Sequence, residues 1–253
     1  MLFSTSADAS YITMETNFGI RESDNAILLK ISAQNKGDEP AYAVQFEASL
    51  GKAGVTGQTI SRLNVNQNTD EDFEIRDAFT LPGHYPVIIK THYQDANSYP
   101  FSSLTLGFYD YKTPVISDIS VKSEEIDIPA NGSGELNFTL RNNSDKQQEL
   151  SLELHVPDEL ATNEGTKTIT IGSKEKKTLA FAVENFSALE NSSYAVFLIG
   201  QYDDKGKHYS ISSPAIVRIK PMSAGLSPFL WLVITIITAF ILIVVVLLLR
   251  RNV

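Results

Sequence analysis

The sequence predicts an all-β fold of two tandem β-sandwich domains followed by one C-terminal transmembrane α-helix. Three observations carry this expectation: short runs of alternating apolar and polar residues between turn clusters, a long internal repeat, and an uninterrupted apolar stretch near the end of the chain. Alternation with period two marks a half-buried strand, and a repeat longer than a hairpin marks a duplicated module.

Residues 1–10, MLFSTSADAS, contain no Lys or Arg and only Leu2 and Phe3 as an apolar pair, yet Ser6-Ala7-Asp8-Ala9 has the small-x-small form of a cleavage site. They are expected to be the remnant of a signal peptide. Residues 11–112 form the first expected domain, with strand signals at Ala26–Ala33, Tyr42–Leu50 and Val87–Tyr93 and turn clusters at Asn35–Pro40 and Leu81–Gly83. Gly, Pro, Asn and Asp supply the backbone angles that such turns require. Residues 113–220 form the second, after a junction near Tyr111–Pro114, and neither domain keeps apolar residues at helical spacing over three turns.

The repeat relates the two domains residue by residue. LKISAQNKG from Leu29 matches LNFTLRNNS from Leu136, and YPVIIKTHYQDANSYPFSS from Tyr85 matches YAVFLIGQYDDKGKHYSISS from Tyr194, at offsets of 107 and 109. Asn35 stands over Asn142, Tyr85 over Tyr194, Tyr93 over Tyr202 and Asp95 over Asp204. A period of about 100 residues suits an Ig-like sandwich. Each Tyr-x-Asp pair is expected to open a hairpin that returns along Tyr99–Leu106 or Tyr209–Val217.

These residues resemble the CARDB type of Ig-like module, a cell-adhesion-related domain found in bacteria. The likeness lies in Leu29–Gly37, Ala41–Val44, Gly83-His84-Tyr85 and Tyr93-Gln94-Asp95. The second copy departs from it, with Asn143-Ser144 in place of x-Gly and no Gly before Tyr194. The resemblance implies a layout similar to prokaryotic envelope proteins, S-layer-associated ones from archaea included, in which repeated modules precede one membrane span. It implies an adhesive, scaffolding or accessory role at the cell surface, and it implies no catalytic residue.

Residues 221–228 are expected to be a juxtamembrane spacer and 229–249 the span. From Phe229 to Leu249 there is no charged residue, Gly or Pro, and a helix of that length covers about 30 Å, the thickness of a hydrocarbon core. Thr235 and Thr238 interrupt the run, and both hydroxyls can bond to the helix's own carbonyls. Trp231 suits one interface, and Arg250 and Arg251 resist translocation at the other, which makes 250–253 a cytoplasmic tail. The expected localisation is therefore the cell membrane, single-pass, with an extracytoplasmic N-terminal ectodomain and the lipid bilayer as one partner.

Composition narrows the chemistry. With no Cys, the chain has no disulfides, thiolate metal sites or Cys nucleophile. The net charge is −9, and leaving out Arg250 and Arg251 takes 21 basic residues to 19 against 30 acidic, or −11; such a surface repels nucleic acid. Five N-x-S/T sequons, at Asn131, Asn137, Asn142, Asn185 and Asn191, mark candidate glycosylation sites. His84, His92, His155 and His208 are scattered without metal-ligand spacing, and neither a G-x-S-x-G elbow, a P-loop nor a G-x-G-x-x-G loop occurs.

Asp70, Asp72, Asp95, Asp203 and Asp204 are the candidate oxygen ligands for Ca²⁺, although they lack the spaced D-x-D-x-D-G form; no other cofactor is expected. Tyr93, Tyr99, Phe101, Phe108, Tyr109 and Tyr111 crowd the end of the first domain, where alternation favours core and junction packing over an aromatic face for a glycan or peptide. The expected function is a non-enzymatic surface protein acting in adhesion, scaffolding or envelope organisation through an unidentified protein or glycan partner. The alternative is an accessory subunit of a membrane transport or secretion complex. The loops Asp38–Pro40, Asn66–Asp72 and Asp95–Tyr99 are the expected membrane-distal contact surface.

Overall fold

The computed structural model describes residues 11–23, 26–221 and 235–238. Eight strands make the first half: β1 (Met14–Ser23), β2 (Ala26–Asn35), β3 (Ala41–Leu50), β4 (Ala53–Thr56), β5 (Ile60–Leu63), β6 (Asn68–Ile75), β7 (Gly83–Gln94) and β8 (Pro100–Tyr111). Nine make the second: β9 (Ile119–Ser123), β10 (Ile126–Pro129), β11 (Ser133–Asn142), β12 (Gln148–His155), β13 (Leu160–Ala161), β14 (Lys167–Ile171), β15 (Lys176–Asn185), β16 (Ser193–Asp204) and β17 (Lys207–Lys220).

Each half is a β-sandwich with the same Ig-like strand order. In the first, sheet β1-β2-β6 faces sheet β4-β3-β7-β8, with β5 also paired to β3. In the second, β13-β15-β11-β9 faces β14-β12-β16-β17, and β10 runs parallel to the end of β17. The alternation read from the sequence decides which residues go inside. On β2, Leu29, Ile31 and Ala33 turn inward to meet Phe46 of β3 and Val87 and Ile89 of β7. On β11, Leu136, Phe138 and Leu140 meet Leu152, Phe181 and Val196, with the Phe138 and Phe181 rings edge-on at 5.7 Å. Full burial of a side chain of this size contributes about 2 kcal/mol, and each module has its own apolar core.

The repeated residues hold matching positions. Asn35 and Asn142, each fully buried, end β2 and β11. Asn35 Oδ1 accepts from Gly37 N at 3.0 Å while its amide donates to Glu39 O and Leu63 O; Asn142 Oδ1 accepts from Ser144 N at 2.9 Å while its amide donates to Lys146 O and Gly172 O. One side chain thus ties a turn to a neighbouring loop in each sandwich, which answers the demand of buried carbonyls for donors. Tyr85 opens β7 with its hydroxyl donating to Leu81 O at 2.7 Å, four residues back, and Tyr194 opens β16 with its hydroxyl accepting from Leu189 N at 3.4 Å. This is the tyrosine corner of Greek-key sandwiches.

Residues up to Lys220 form one compact unit and those from Pro221 a second. In the first unit the sheet β14-β12-β16-β17 continues into β7-β3-β4, because β17 meets β7 at a parallel bridge between His208 and Gly83. In the second unit the described residues are Pro221 and the helical residues 235–238, where Thr238 Oγ1 donates to Thr235 O at 3.0 Å.

The expected fold class needs one correction. Among the described residues no helix is long and apolar enough to cross a membrane. The rest of 229–249 lies outside the described residues, as do Trp231, Arg250, Arg251, the expected signal remnant 1–10 and all of the spacer after Pro221.

Candidate functional site

The two sandwiches meet across polar groups supplied by the loop after β12. Asp158 and Glu159 reach from the second module onto β7 and β8 of the first. Lys90 Nζ lies 2.8 Å from Asp158 Oδ1, and His92 Nδ1 lies 2.6 Å from Asp158 Oδ2. His92 Nε2 also stands 3.3 Å from Glu47 Oε2. Ser102 donates its backbone N–H to Glu159 at 3.2 Å and its hydroxyl to the same carboxylate at 3.2 Å, while Asp158 N donates to Ser102 Oγ at 2.7 Å.

These contacts shift the titrations in opposite senses. The His92 hydrogen bond, with Lys90 behind it, holds the Asp158 carboxyl down to about 2. The same hydrogen bond raises His92 above its ordinary value, against the opposing effect of burial. Glu159 is raised instead, because burial penalises its charge more than the Ser102 donors favour it. Glu159 is only 2 % exposed, so its carboxylate belongs to the interior of the junction.

Further contacts extend the seam. Tyr99 donates its hydroxyl to Ser187 O, Ser210 Oγ donates to His84 O at 2.7 Å, and the Tyr85 and His208 rings stack at 4.1 Å. Gly83 permits the approach, since a Cβ there would sit 2.0 Å from His208 O. Ile199, which belongs to neither core, is 1 % exposed.

Beside the seam opens a cleft of about 540 Å³. Phe101, Ser102, Ser103 and Leu104 of β8 form one wall, and Ser192, Ser193, Tyr194 and Ala195 at the start of β16 form the other. Tyr93, Pro157 and Glu159 also line it, with Glu39 and Asp95 from two loops of the first module. At its edge stand two large exposed apolar residues, Tyr11 at 57 % and Leu189 at 51 %. No Lys, Arg or His lines it.

The residues singled out by sequence scatter across this frame. Asp70 is paired with Lys30 at 2.8 Å on β6, which also carries Asp72. Asp95 Oδ1 accepts from Asn97 N and Tyr99 N at 2.8 Å each, holding the β7–β8 turn, and Asp203 Oδ1 is 2.7 Å from His208 Nδ1. Asp204 sits opposite Lys207 at the β16–β17 turn. Among the described residues no group of three or more His, Asp or Glu is placed to hold a metal ion.

The sequons differ in access. Asn131 and Asn191 are exposed and Asn137 is half-buried on β11. The Asn142 amide is buried and donates to three carbonyls, and the Asn185 amide donates to Ala130 O and Ala188 O, so neither is free for a glycan in the folded chain.

Of the aromatic residues, Tyr93 and Phe101 stack at 5.8 Å beside the cleft. Phe108 stacks on His84 at 4.5 Å, while Tyr109 and Tyr111 gather around Phe79 with Tyr85. The loop Asp95–Tyr99, expected at a free end, instead touches the second module through Tyr99. Asp38–Pro40 places Glu39 at the cleft, whereas Asn66 is bonded to Asn35 O away from it. Sequence reasoning missed Asp158, Glu159 and Ser102 altogether. A Pro157-Asp158-Glu159 turn resembles any solvated acidic loop until its partner module is in place.

No protein-family model matches the chain, and no curated protein matches it. Among solved structures it is similar to Escherichia coli alpha-2-macroglobulin activated by porcine elastase, at 11% identity and a TM-score of 0.34 over 86% of this chain and 23% of that one. It is also similar to the seventh ScaB type I cohesin from Pseudobacteroides cellulosolvens, at 11% identity and a TM-score of 0.27 over 44% of this chain and 97% of that one. Red sea bream transglutaminase matches at 11% identity and a TM-score of 0.28 over 80% of this chain and 31% of that one. The chain thus spans less than a quarter of the macroglobulin it matches.

Proposed function

We propose that this protein works by binding rather than catalysis, as a non-enzymatic surface module for adhesion, scaffolding or envelope organisation, with the cleft between its two sandwiches as the contact surface. One observation carries the reading. The buried Glu159 carboxylate and the Asp158 ion pairs fasten the two modules together beside the cleft, so its walls come from two different sandwiches held in one geometry. Preorganised walls reduce the ordering cost of binding. The exposed Tyr11 and Leu189 at the mouth add apolar surface for a partner to cover, and Tyr is a residue type enriched at interfaces. The cell-adhesion-related resemblance, carried by Leu29–Gly37 and Gly83–Tyr85, supports the same role, and an extracytoplasmic position for residues 11–220 is part of the proposal.

The test uses cells expressing the full chain. External protease is expected to digest the two modules on intact cells. The Glu39→Gln and Leu189→Asp double variant is expected to lower adhesion or envelope attachment at least about tenfold while folding normally, since both side chains are at least partly open to solvent. Adhesion that is unaffected with the variant at wild-type abundance on the surface would sink this reading.

A further inference from the structure

We propose that the folded protein carries N-linked oligosaccharides at two of its five sequons, Asn131 and Asn191, one on each side of the end of β17. This goes beyond the binding role given above and rests only on the extracytoplasmic position that is part of it. All five sequons lie in the second module, and the fold separates them by what each side chain and its backbone already hold. Asn142 is fully buried with its amide engaged by three carbonyls, and the Asn185 amide donates to Ala130 O and Ala188 O. Asn137 lies inside β11, where Ala180 of β15 is its register partner on one side and Glu124 N donates to its carbonyl at 3.2 Å on the other.

Asn131 and Asn191 differ from these three in each respect. Both are exposed, and among the described residues neither side chain makes a hydrogen bond. Each sequon begins in a turn and reaches its serine at the first residue of a strand, Ser133 of β11 and Ser193 of β16, and both serines are exposed. An enzyme that reads three successive residues needs their backbone clear of the sheet. Strand ends open at small free-energy cost, whereas the middle of a paired strand opens only with much of the module.

The two sites converge on one place. Pro129, two residues before Asn131, is the register partner of Lys220 where β10 flanks β17. On the opposite side, where β16 flanks β17, Asn191 N donates to Ile219 O at 2.9 Å. Two glycans therefore bracket the last residues of β17. Leu189, Ser192 and Ser193 line the cleft and Asn191 does not, so its glycan borders the contact surface without filling it. The transfer is a substitution at an anomeric carbon: asparagine Nδ2 bonds to C1 of an oligosaccharide carried on a lipid phosphate, the C1–O bond breaks, the lipid phosphate leaves with the electron pair, and one amide proton passes to the transferase.

The experiment expresses the full chain in cells that have an Asn-x-Ser/Thr oligosaccharyltransferase and reads peptides of the extracted, folded protein by mass spectrometry. Glycans are expected on Asn131 and Asn191, with Asn137, Asn142 and Asn185 bare. Asn131→Gln and Asn191→Gln should each remove the mass of one glycan, and Ser133→Ala and Ser193→Ala should do the same with the asparagine still in place. All four side chains are exposed, so the variants are expected to fold. A bare Asn131 or Asn191, or a glycan on any of the other three, would overturn the assignment. External protease on intact cells separates the two readings. An unmodified chain that is digested defeats the glycan assignment alone, and an unmodified chain that is protected defeats the extracytoplasmic position with it.

Discussion

Asn35 and Asn142 show how one residue type at one position does the same work twice. Each is buried at the end of an inner strand and satisfies a following turn and a neighbouring loop at once. Alanine at Asn35 would leave Glu39 O, Leu63 O and Gly37 N without their partner. The expected loss is about 3 kcal/mol for Asn35→Ala, and the same for Asn142→Ala, against under about 0.5 kcal/mol for the exposed Asn131→Ala. Denaturant titration of the full chain checks the contrast, and equal effects at Asn131 and Asn142 would contradict the assigned roles.

At the scale of elements, the loop after β12 and the β7–β8 hairpin make a junction whose stability follows pH. His92 is raised above 6.5, so its contribution is complete below 6.5 and is lost as pH rises through the folded value. Glu159 is raised above 4.5 by burial, and its contribution likewise fades as pH climbs past 4.5. Asp158 runs the other way: lowered from 3.8 to about 2, it stabilises above 3.8 and is lost as pH falls toward 2. Around His92 stand Asp158, Glu47 and Lys90, and the two carboxylates outweigh the one ammonium. Relative to His92→Gln, the wild-type protein is expected to lose stability as pH rises from about 6 to about 8. Parallel pH profiles for the two proteins would show that the His92–Asp158 contact does not contribute.

For the whole molecule, the question is whether two cores melt as one. The bridge between Gly83 and His208, the stacked Tyr85 and His208 rings and the Glu159–Ser102 bonds connect cores that are otherwise separate apolar clusters. A single calorimetric transition is expected for residues 11–220 within the full chain. The Asp158→Ala and Glu159→Ala double variant removes the ion pairs and leaves Ser102 N unpaired, and two transitions are expected. Gly83→Val should act similarly, because its side chain would collide with His208 backbone atoms. Two transitions in the wild type, or one in every variant, would contradict this coupling.

The sequence by itself determined the repeated strands, such as Ala26–Ala33 and Val87–Tyr93, with their duplication and inward-facing residues, while strands such as β1, β4 and β9 were not read from it. These depend on a period of two along the chain and on turn residues next to one another, which are local and therefore readable. Ala26–Ala33 and Val87–Tyr93 differ from β2 and β7 only at their ends, and the repeat pairs Asn35 with Asn142 and Tyr85 with Tyr194 in matching structural roles. Only the tertiary structure decided the site. Asp158 and Ser102 are 56 residues apart, and Tyr99 and Ser187 are 88 apart. Nothing local in an acidic loop or a serine marks such a contact, because its energy exists only once two separately folded cores have brought the desolvated carboxylate and the strand edge together. The Asp95–Tyr99 loop, which the sequence suggested at a free end, was placed at the junction for the same reason: the approach of the second module is set by surfaces and not by chain order.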